Sequence, residues 1–292
     1  MKHLTTMVLT VLLVFTSFSA LAHEPFMITL AVPEEEGSLL ANTAFYLNEL
    51  IDMATGEGIL FDVYFKDELG TNEELIDDVL NNGEKVGMLM IPVDELARRG
   101  LVKASVLTAP YLFTSHEQFM TFAATGDRKE WLEEFKSKHI KAWGLGFFEN
   151  GFVHLPSSLG SQPGDLASAL SADRSAGISL VSGQEAQPQA GDTVTLTGHG
   201  LRMYMLVMPD NMWEMLVKKE RKLMIEICQV GAEYNAKLAA ASEERAIAGL
   251  EASGVTFVTP ENPDAWREAA AEAIREAVGG ETRLYDSLLN LK

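Results

Sequence analysis

The chain has 292 residues, with 42 Asp and Glu against 23 Lys and Arg, a formal charge of −19 and a single cysteine. So acidic a balance argues against nucleic acid, whose phosphates need clustered Lys and Arg, and against adhesion to anionic lipid, although one buried Arg can still decide the binding of a small anion locally. Cys228 is alone and has no disulfide partner within the chain, and a chain of this length buries a large core without such staples.

Residues 1–22 read as a secretory signal: Lys2 supplies the positive end, Met7 to Phe18 an apolar core, and Ala20-Leu21-Ala22 a small-x-small cleavage site. The core is shorter than the roughly 20 apolar residues a membrane span needs. No cysteine follows the cleavage site for a lipid anchor. The expected mature chain starts at His23, carries −20 once Lys2 is lost, and has no direct membrane anchor.

Phe26 to Val32 is predicted as a strand, Ser38 to Thr55 as a helix with Leu40, Ala44, Leu47 and Ile51 inward, and Ile59 to Phe65 as a second strand. Asp67 to Asn72 reads as a turn into a helix capped by Thr71 or Asn72, with Glu73 and Glu74 at its positive end and Asn82-Gly83 at its close. Val86 to Ile91 is a short apolar run without alternation, as in a strand buried on both faces. Strands alternating with helices imply a doubly wound α/β lobe. Leu107 to Phe113 is an apolar loop, followed by predicted helices over 115–124 and 127–138 and a strand over 141–148.

From Pro156 to Asp192 the chain turns rich in Gly, Ser, Ala, Gln and Pro, and only Ile178 to Val181 looks like a strand. Strands are predicted again over 193–197 and 202–208, and Pro209-Asp210 opens a helical run. Lys219 to Ser253 lacks proline and repeats apolar residues at steps of three and four, from Met224 and Cys228 to Tyr234, Leu238 and Ala241, with Glu243 among the charges set elsewhere. At 1.5 Å per residue such a helix reaches roughly 50 Å, too long for one lobe, so it is expected to brace two; the alternative is a pair of helices broken near Gly231. A strand over 255–258, a helix from Asn262-Pro263-Asp264 to Val278 and a last helix over 282–289 complete the chain.

In this order the signals resemble a known family. Leu69-Gly70, Glu73-Glu74, Gly83, the apolar strand, Pro110-Tyr111-Leu112-Phe113, Glu149-Asn150-Gly151-Phe152, Thr195-Leu196-Thr197-Gly198-His199, Trp213 and the long helix are similar to the solute-binding subunits of tripartite ATP-independent periplasmic (TRAP) transporters, the DctP-like family. The resemblance implies an α/β, two-lobed periplasmic-binding-protein-like fold with a long helix bridging both lobes. One lobe would take 23–140 and parts of 200–292 with helix 219–253, and 141–199 would form a shortened second lobe. It also implies a receptor, not an enzyme, that delivers a small organic solute to membrane permease subunits. An interaction or signalling protein reusing the fold without a small ligand is the alternative.

The departures bear on the ligand. Val153 stands where the family has an arginine, and Arg174 is out of register with a second one. A desolvated carboxylate needs a bidentate Arg, so C4-dicarboxylates and sialic acid are expected to bind weakly. The ligand would then be less charged, or held by Phe148 and Asn150, with Tyr111, His199 and Arg174 as further candidates. His199, between two glycines, either faces the ligand or serves a turn. The histidines have no metal spacing, and neither a metal nor a cofactor is expected.

Overall fold

A computed structural model of the chain describes residues 24–113, 115–124, 134–135, 138–173, 176–181 and 187–289. The signal sequence, Arg174 and most of the helix expected over 127–138 lie outside these residues. The strands are β1 (Phe26–Ala31), β2 (Ile59–Tyr64), β3 (Met88–Pro92), β4 (Ile140–Pro156), β5 (Ile178–Ser179), β6 (Thr193–Pro209) and β7 (Thr256–Val258). They are hydrogen-bonded in the order β2-β1-β3-β6-β4-β5, with β7 on β6. The helices are α1 (Leu39–Thr55), α2 (Asn72–Leu80), α3 (Val93–Arg98), α4 (Val102–Leu107), α5 (His116–Ala124), α6 (Pro163–Ala172), α7 (Asp210–Met215), α8 (Lys218–Ala252), α9 (Pro263–Ala269), α10 (Ala271–Val278) and α11 (Thr282–Leu289).

The fold is mixed α/β, as expected. It divides into two compact units: one holds residues up to Met90 with 136–145 and 206–232, the other 91–135, 146–205 and 233–292. This division runs along other lines than the lobes drawn from the sequence, because β3, β4, β6 and α8 each begin in one unit and end in the other.

In the first unit β1 lies between β2 and β3, parallel to both, with Ile28 opposite Phe61 and Leu30 opposite Met88. Ile28, Leu30, Phe61, Met88 and Met90 are buried, which is why β1 and β3 read as apolar runs. Helix α1 starts where Ser38 accepts the Ala41 N–H and ends at Gly56, whose N–H reaches the Asp52 carbonyl. Of the two expected caps for α2 it is Thr71 that serves: its hydroxyl takes the Glu74 N–H, and Glu74 returns to the Thr71 N–H. Asn211 donates its amide to the carbonyls of Asn82 and Gly83 and its backbone N–H to Asn82 Oδ1, tying the α2 exit to α7.

In the second unit β5 runs antiparallel to β4 and β7 parallel to β6. Helix α9 packs on α6, and α10 on α4 and α6, where Ser105 donates to the Ala277 carbonyl at 2.7 Å. Rings of Phe113, Phe119 and Phe148 meet edge to face at 5.1 and 5.2 Å. The sequence missed α3, α4 and α6. It also divided β6 at Gly198-His199-Gly200, where strand pairing in fact continues, and it ran α9 and α10 together across Ala270, whose ψ of −1° departs from helix.

Helix α8 is one unbroken element of 35 residues, passing through Gly231. Its inward face is the predicted one as far as Gly231, with Met224, Ile227 and Cys228 buried, and is rotated from it beyond: Asn235, Ala236 and Ala239 are buried, whereas Tyr234 and Leu238 are only partly covered and Ala241 is exposed. Ala232, 3% exposed, lies where the helix passes from the first unit to the second. Proline there removes a helix hydrogen bond and clashes with the preceding turn, a cost of about 3 kcal/mol or more. At roughly 2 °C or more per kcal/mol for a chain of this size, Ala232→Pro is expected to lower Tm by at least about 6 °C in calorimetry. An unchanged Tm would show that α8 does not act as one continuous element.

Candidate functional site

Within the second unit, polar groups are concentrated where α8 meets β4 and β4 meets β6. Asn235 is fully buried; its Oδ1 accepts the Phe148 N–H at 2.6 Å and its Nδ2 donates to the Phe148 carbonyl at 3.2 Å. Two turns along the same face, Glu243 Oε1 accepts the Phe152 N–H at 3.1 Å and meets His154 Nε2 at 3.0 Å. Gly151 makes room for this carboxylate: a Cβ there would lie 2.6 Å from Glu243 Cδ. Neither residue was singled out in the sequence. The available signal was a pair of polar residues eight apart on a helix, with Ala239 midway between them, in register with small residues that face inward.

The bonding pattern places a ring proton on each buried histidine. His154 Nδ1 accepts the Gly198 N–H at 3.1 Å, so the proton sits on Nε2 and points at Glu243. His199 Nε2 lies 2.8 Å from the Ala176 carbonyl, which can only accept, so Nε2 donates; in the neutral ring Nδ1 then receives the Thr197 hydroxyl at 2.6 Å. His199 is 2% exposed, and burial pushes its pKa down from 6.5 to about 4, against the opposing pull of the Ala176 carbonyl. Gly177, at φ +135°, permits the approach; a Cβ there would meet Val153 Cγ1 at 2.5 Å, the His154 carbonyl at 2.7 Å and His199 Cε1 at 3.0 Å. Val153 is itself buried and pairs with Ser179. Where the resemblance expected an arginine, the chain has apolar packing.

Tyr111 joins this cluster from another direction. Its N–H donates to the His199 carbonyl at 2.9 Å, and the two rings lie 6.4 Å apart. Its backbone sits at φ +57°, a conformation uncommon for any side chain and a marked outlier for a bulky one. The residue is 7% exposed, yet its hydroxyl has no hydrogen-bond partner. The other buried side-chain oxygen so described, Asp210 Oδ1 in the first unit, has Lys141 Nζ at 2.8 Å; Tyr111 Oη has nothing comparable among the described residues. Leaving such a donor unmade costs about 1–3 kcal/mol.

The five candidates are thus placed as follows. Tyr111 and His199, 88 positions apart in sequence, are in direct contact. Phe148 is wholly buried, held by Asn235 through its backbone and by Phe119 through its ring. Asn150 lies in β4, and Arg174 is outside the described residues. Among the described residues no group of three or more His, Cys, Asp or Glu could hold a metal ion.

The family model for bacterial extracellular solute-binding proteins, family 7 (DctP), matches residues 187–279, which contain β6, α8 and α9. This stretch is a DctP-family domain. No curated protein matches the chain by sequence. Among solved structures, a TRAP periplasmic solute-binding protein from Pseudomonas putida F1 with bound D-glucuronate is similar at 15% identity and TM-score 0.71, over 91% of this chain and 98% of that one. One from Desulfovibrio salexigens DSM2638, in complex with diglycerolphosphate, gives 17% and 0.74 over 91% and 96%. One from Shewanella oneidensis with bound succinate gives 17% and 0.71 over 91% and 98%. The chain therefore has the two-lobed TRAP-receptor fold, and its DctP segment supplies His199, Asn235 and Glu243 to the polar cluster.

The neutral His199 links stability to pH. Its folded pKa lies below its unfolded value, so the unfolded chain takes up a proton that the folded chain refuses. The resulting stability is fully present above pH 6.5 and lost as pH falls towards 4. The loss amounts to roughly 3 kcal/mol at most. In urea unfolding at pH 7.5 and pH 4.5, wild type should lose more stability than His199→Gln, which keeps a donor for the Ala176 carbonyl but cannot titrate. Equal losses in the two proteins would show that His199 is not held neutral.

Proposed function

We propose that this protein is a periplasmic receptor of a TRAP-type transporter, which captures a small organic acid and delivers it to membrane permease subunits. The observation that carries the proposal is the DctP domain itself, set in a chain whose described residues take the fold of TRAP receptors from end to end. That domain includes α8, the one helix among the described residues that belongs to both compact units. The similar receptors hold glucuronate, succinate and diglycerolphosphate, so the chemistry shared by their ligands is a small, hydroxyl-bearing or carboxylate-bearing anion. The protein binds and releases this ligand without chemical change.

Export follows from the same proposal. The signal over residues 1–22 is removed after Ala22, and no helix among the described residues is long and apolar enough to cross a membrane. N-terminal sequencing of protein from a periplasmic extract should therefore begin at His23. Recovery of the intact Met1 terminus in the membrane fraction would be incompatible with this.

The ligand is accessible to direct measurement. Native mass spectrometry of freshly purified mature protein should show a fraction carrying one small organic acid, recovered with unchanged mass after denaturation. At about 100 times its Kd that acid should stabilise the protein by roughly 2.7 kcal/mol. If the protein retains nothing, and no organic acid raises Tm, the transport proposal fails. A signalling or interaction protein built on the same fold would then be the better account.

A further inference from the structure

The turn that joins α7 to α8, inside the first unit, departs from the charge and polarity of the rest of the chain. Lys218, Lys219, Arg221 and Lys222 put four cations into five residues, a density found nowhere else in this acidic sequence. Beside them Met215 and Val217 are 62% and 61% exposed, the two most exposed large apolar side chains among the described residues. Leu216 between them is buried, so one residue of the three serves the core and the other two face water. The turn is also held in place. Arg221 donates from Nε to the Trp213 carbonyl at 3.0 Å and from Nη2 to the Glu214 carbonyl at 3.2 Å, with its guanidinium 5.5 Å from the centre of the Trp213 ring. Glu220 Oε2 takes the Val217 N–H at 2.7 Å.

Local stability explains neither feature. The Val217 carbonyl accepts the Arg221 N–H, which puts Val217 at the cap of α8, where Ser, Thr, Asn or Asp is preferred and an aliphatic residue is among the poorest choices. The first turn of a helix favours acids, as α2, α3 and α9 have, yet here, Glu220 apart, it carries the cations. A place where the sequence gives up local stability twice, and leaves two apolar side chains in water, serves something outside the fold. We propose that this turn is a peripheral membrane-contact site, in which Met215 and Val217 enter the headgroup region of an anionic bilayer and Lys218, Lys219 and Lys222 lie against its phosphates. The inference rests on the receptor function proposed above, which places the protein beside the membrane that holds its permease, and goes beyond it by giving the receptor its own hold on lipid. Two exposed aliphatic side chains fall far short of the roughly 800 Å² per partner that a stable protein interface buries. They suffice for reversible contact with a surface that supplies charge along its whole extent. The acidity of the rest of the chain opposes such contact anywhere else.

The test uses the full mature protein in flotation with vesicles of phosphatidylcholine alone and of phosphatidylcholine with about one quarter phosphatidylglycerol. Wild type is expected to float with the anionic vesicles in dilute buffer and to leave them as salt is raised, since screening shortens the reach of each charge. Lys218→Gln, Lys219→Gln and Lys222→Gln, combined in one variant, should lower the partition constant about 100-fold, at roughly 5-fold for each lysine held near an anionic surface. Met215→Ser with Val217→Ser should lower it on the order of 10-fold. Met53→Ser, which removes a similarly exposed apolar side chain from α1, should leave it unchanged.

The lipid-free proteins give a second readout. A role in the fold would make these changes lower Tm. Relief of the helix end should instead leave the Tm of the lysine variant unchanged or raised, and Val217→Ser should raise it by supplying a cap. Loss of vesicle binding with undiminished Tm is therefore the expected result. Wild type that ignores anionic vesicles, or a lysine variant that floats as well as wild type, overturns the membrane contact. Binding only to vesicles in which permease subunits are reconstituted, lost again in the lysine variant, overturns it in favour of a protein partner. Retention of an organic acid, read by native mass spectrometry, is untouched by these changes, so the receptor function stands or falls apart from the membrane contact.

Discussion

The second unit depends on a buried amide. Asn235 both accepts from and donates to the backbone of Phe148, so one side chain satisfies both polar groups of a strand residue that has no water to turn to. Glu243 repeats the arrangement two turns later, collecting the Phe152 N–H and the proton of His154. From there the links pass to the next strand: His154 receives from Gly198, His199 gives to Ala176, and the His199 carbonyl receives Tyr111. A single truncation would therefore leave a buried donor or acceptor exposed to nothing, which is costlier than the loss of an ordinary surface bond. The position of Tyr111 is inherited from α8 through this series.

The elements that could be read in the sequence were those whose signal is local. The first β-α-β-α-β stretch has apolar strands and a Thr71–Glu74 capping box, and α8 has length and composition; both came out within a residue or two. The stretch over 156–192 was read as nearly featureless, yet it holds α6. The signs were there: Pro163 in the first turn, Leu166 and Leu170 on one face, and Asp165, which takes the N–H groups of Ser161 and Gln162 at 2.9 Å and is held low by them. A small-residue composition hid them. The inward face of α8 was placed correctly as far as Gly231 and misplaced beyond it, for a different reason. Apolar periodicity marks what packing prefers, but Asn235 and Glu243 face inward because β4 presents unpaired backbone groups, and nothing in the helix sequence announces the needs of a distant strand. Tyr111 and His199 were both singled out, but their contact is tertiary and could not be read from either stretch alone.

Charge raises a further point. The chain carries a formal charge of −19, yet an organic anion is the ligand proposed for it. Salt limits the reach of surface charges to about 8–10 Å, so most of those carboxylates are not felt at a given site. What matters is which charges lie within that radius. The overall charge acts instead on the rate of encounter. Like-signed ligand and protein repel weakly at long range, so association should be faster in moderate salt than in dilute buffer, the reverse of the trend for an oppositely charged pair.

At four of its five crossings the chain passes between its two units in the middle of elements, after Met90 in β3, after Leu145 in β4, after Met205 in β6 and after Ala232 in α8; the fifth falls after Phe135. No contiguous stretch of the gene therefore encodes either unit, and any fragment that ends at one of those four boundaries ends on a severed strand or helix with open backbone groups. Such an architecture cannot be assembled by shuffling ready-made modules, nor trimmed to one of them. It can change only by substitution within elements and by insertion or loss in the loops between them, which leaves the connectivity intact while sequence identity drifts far below the level at which kinship is visible by eye.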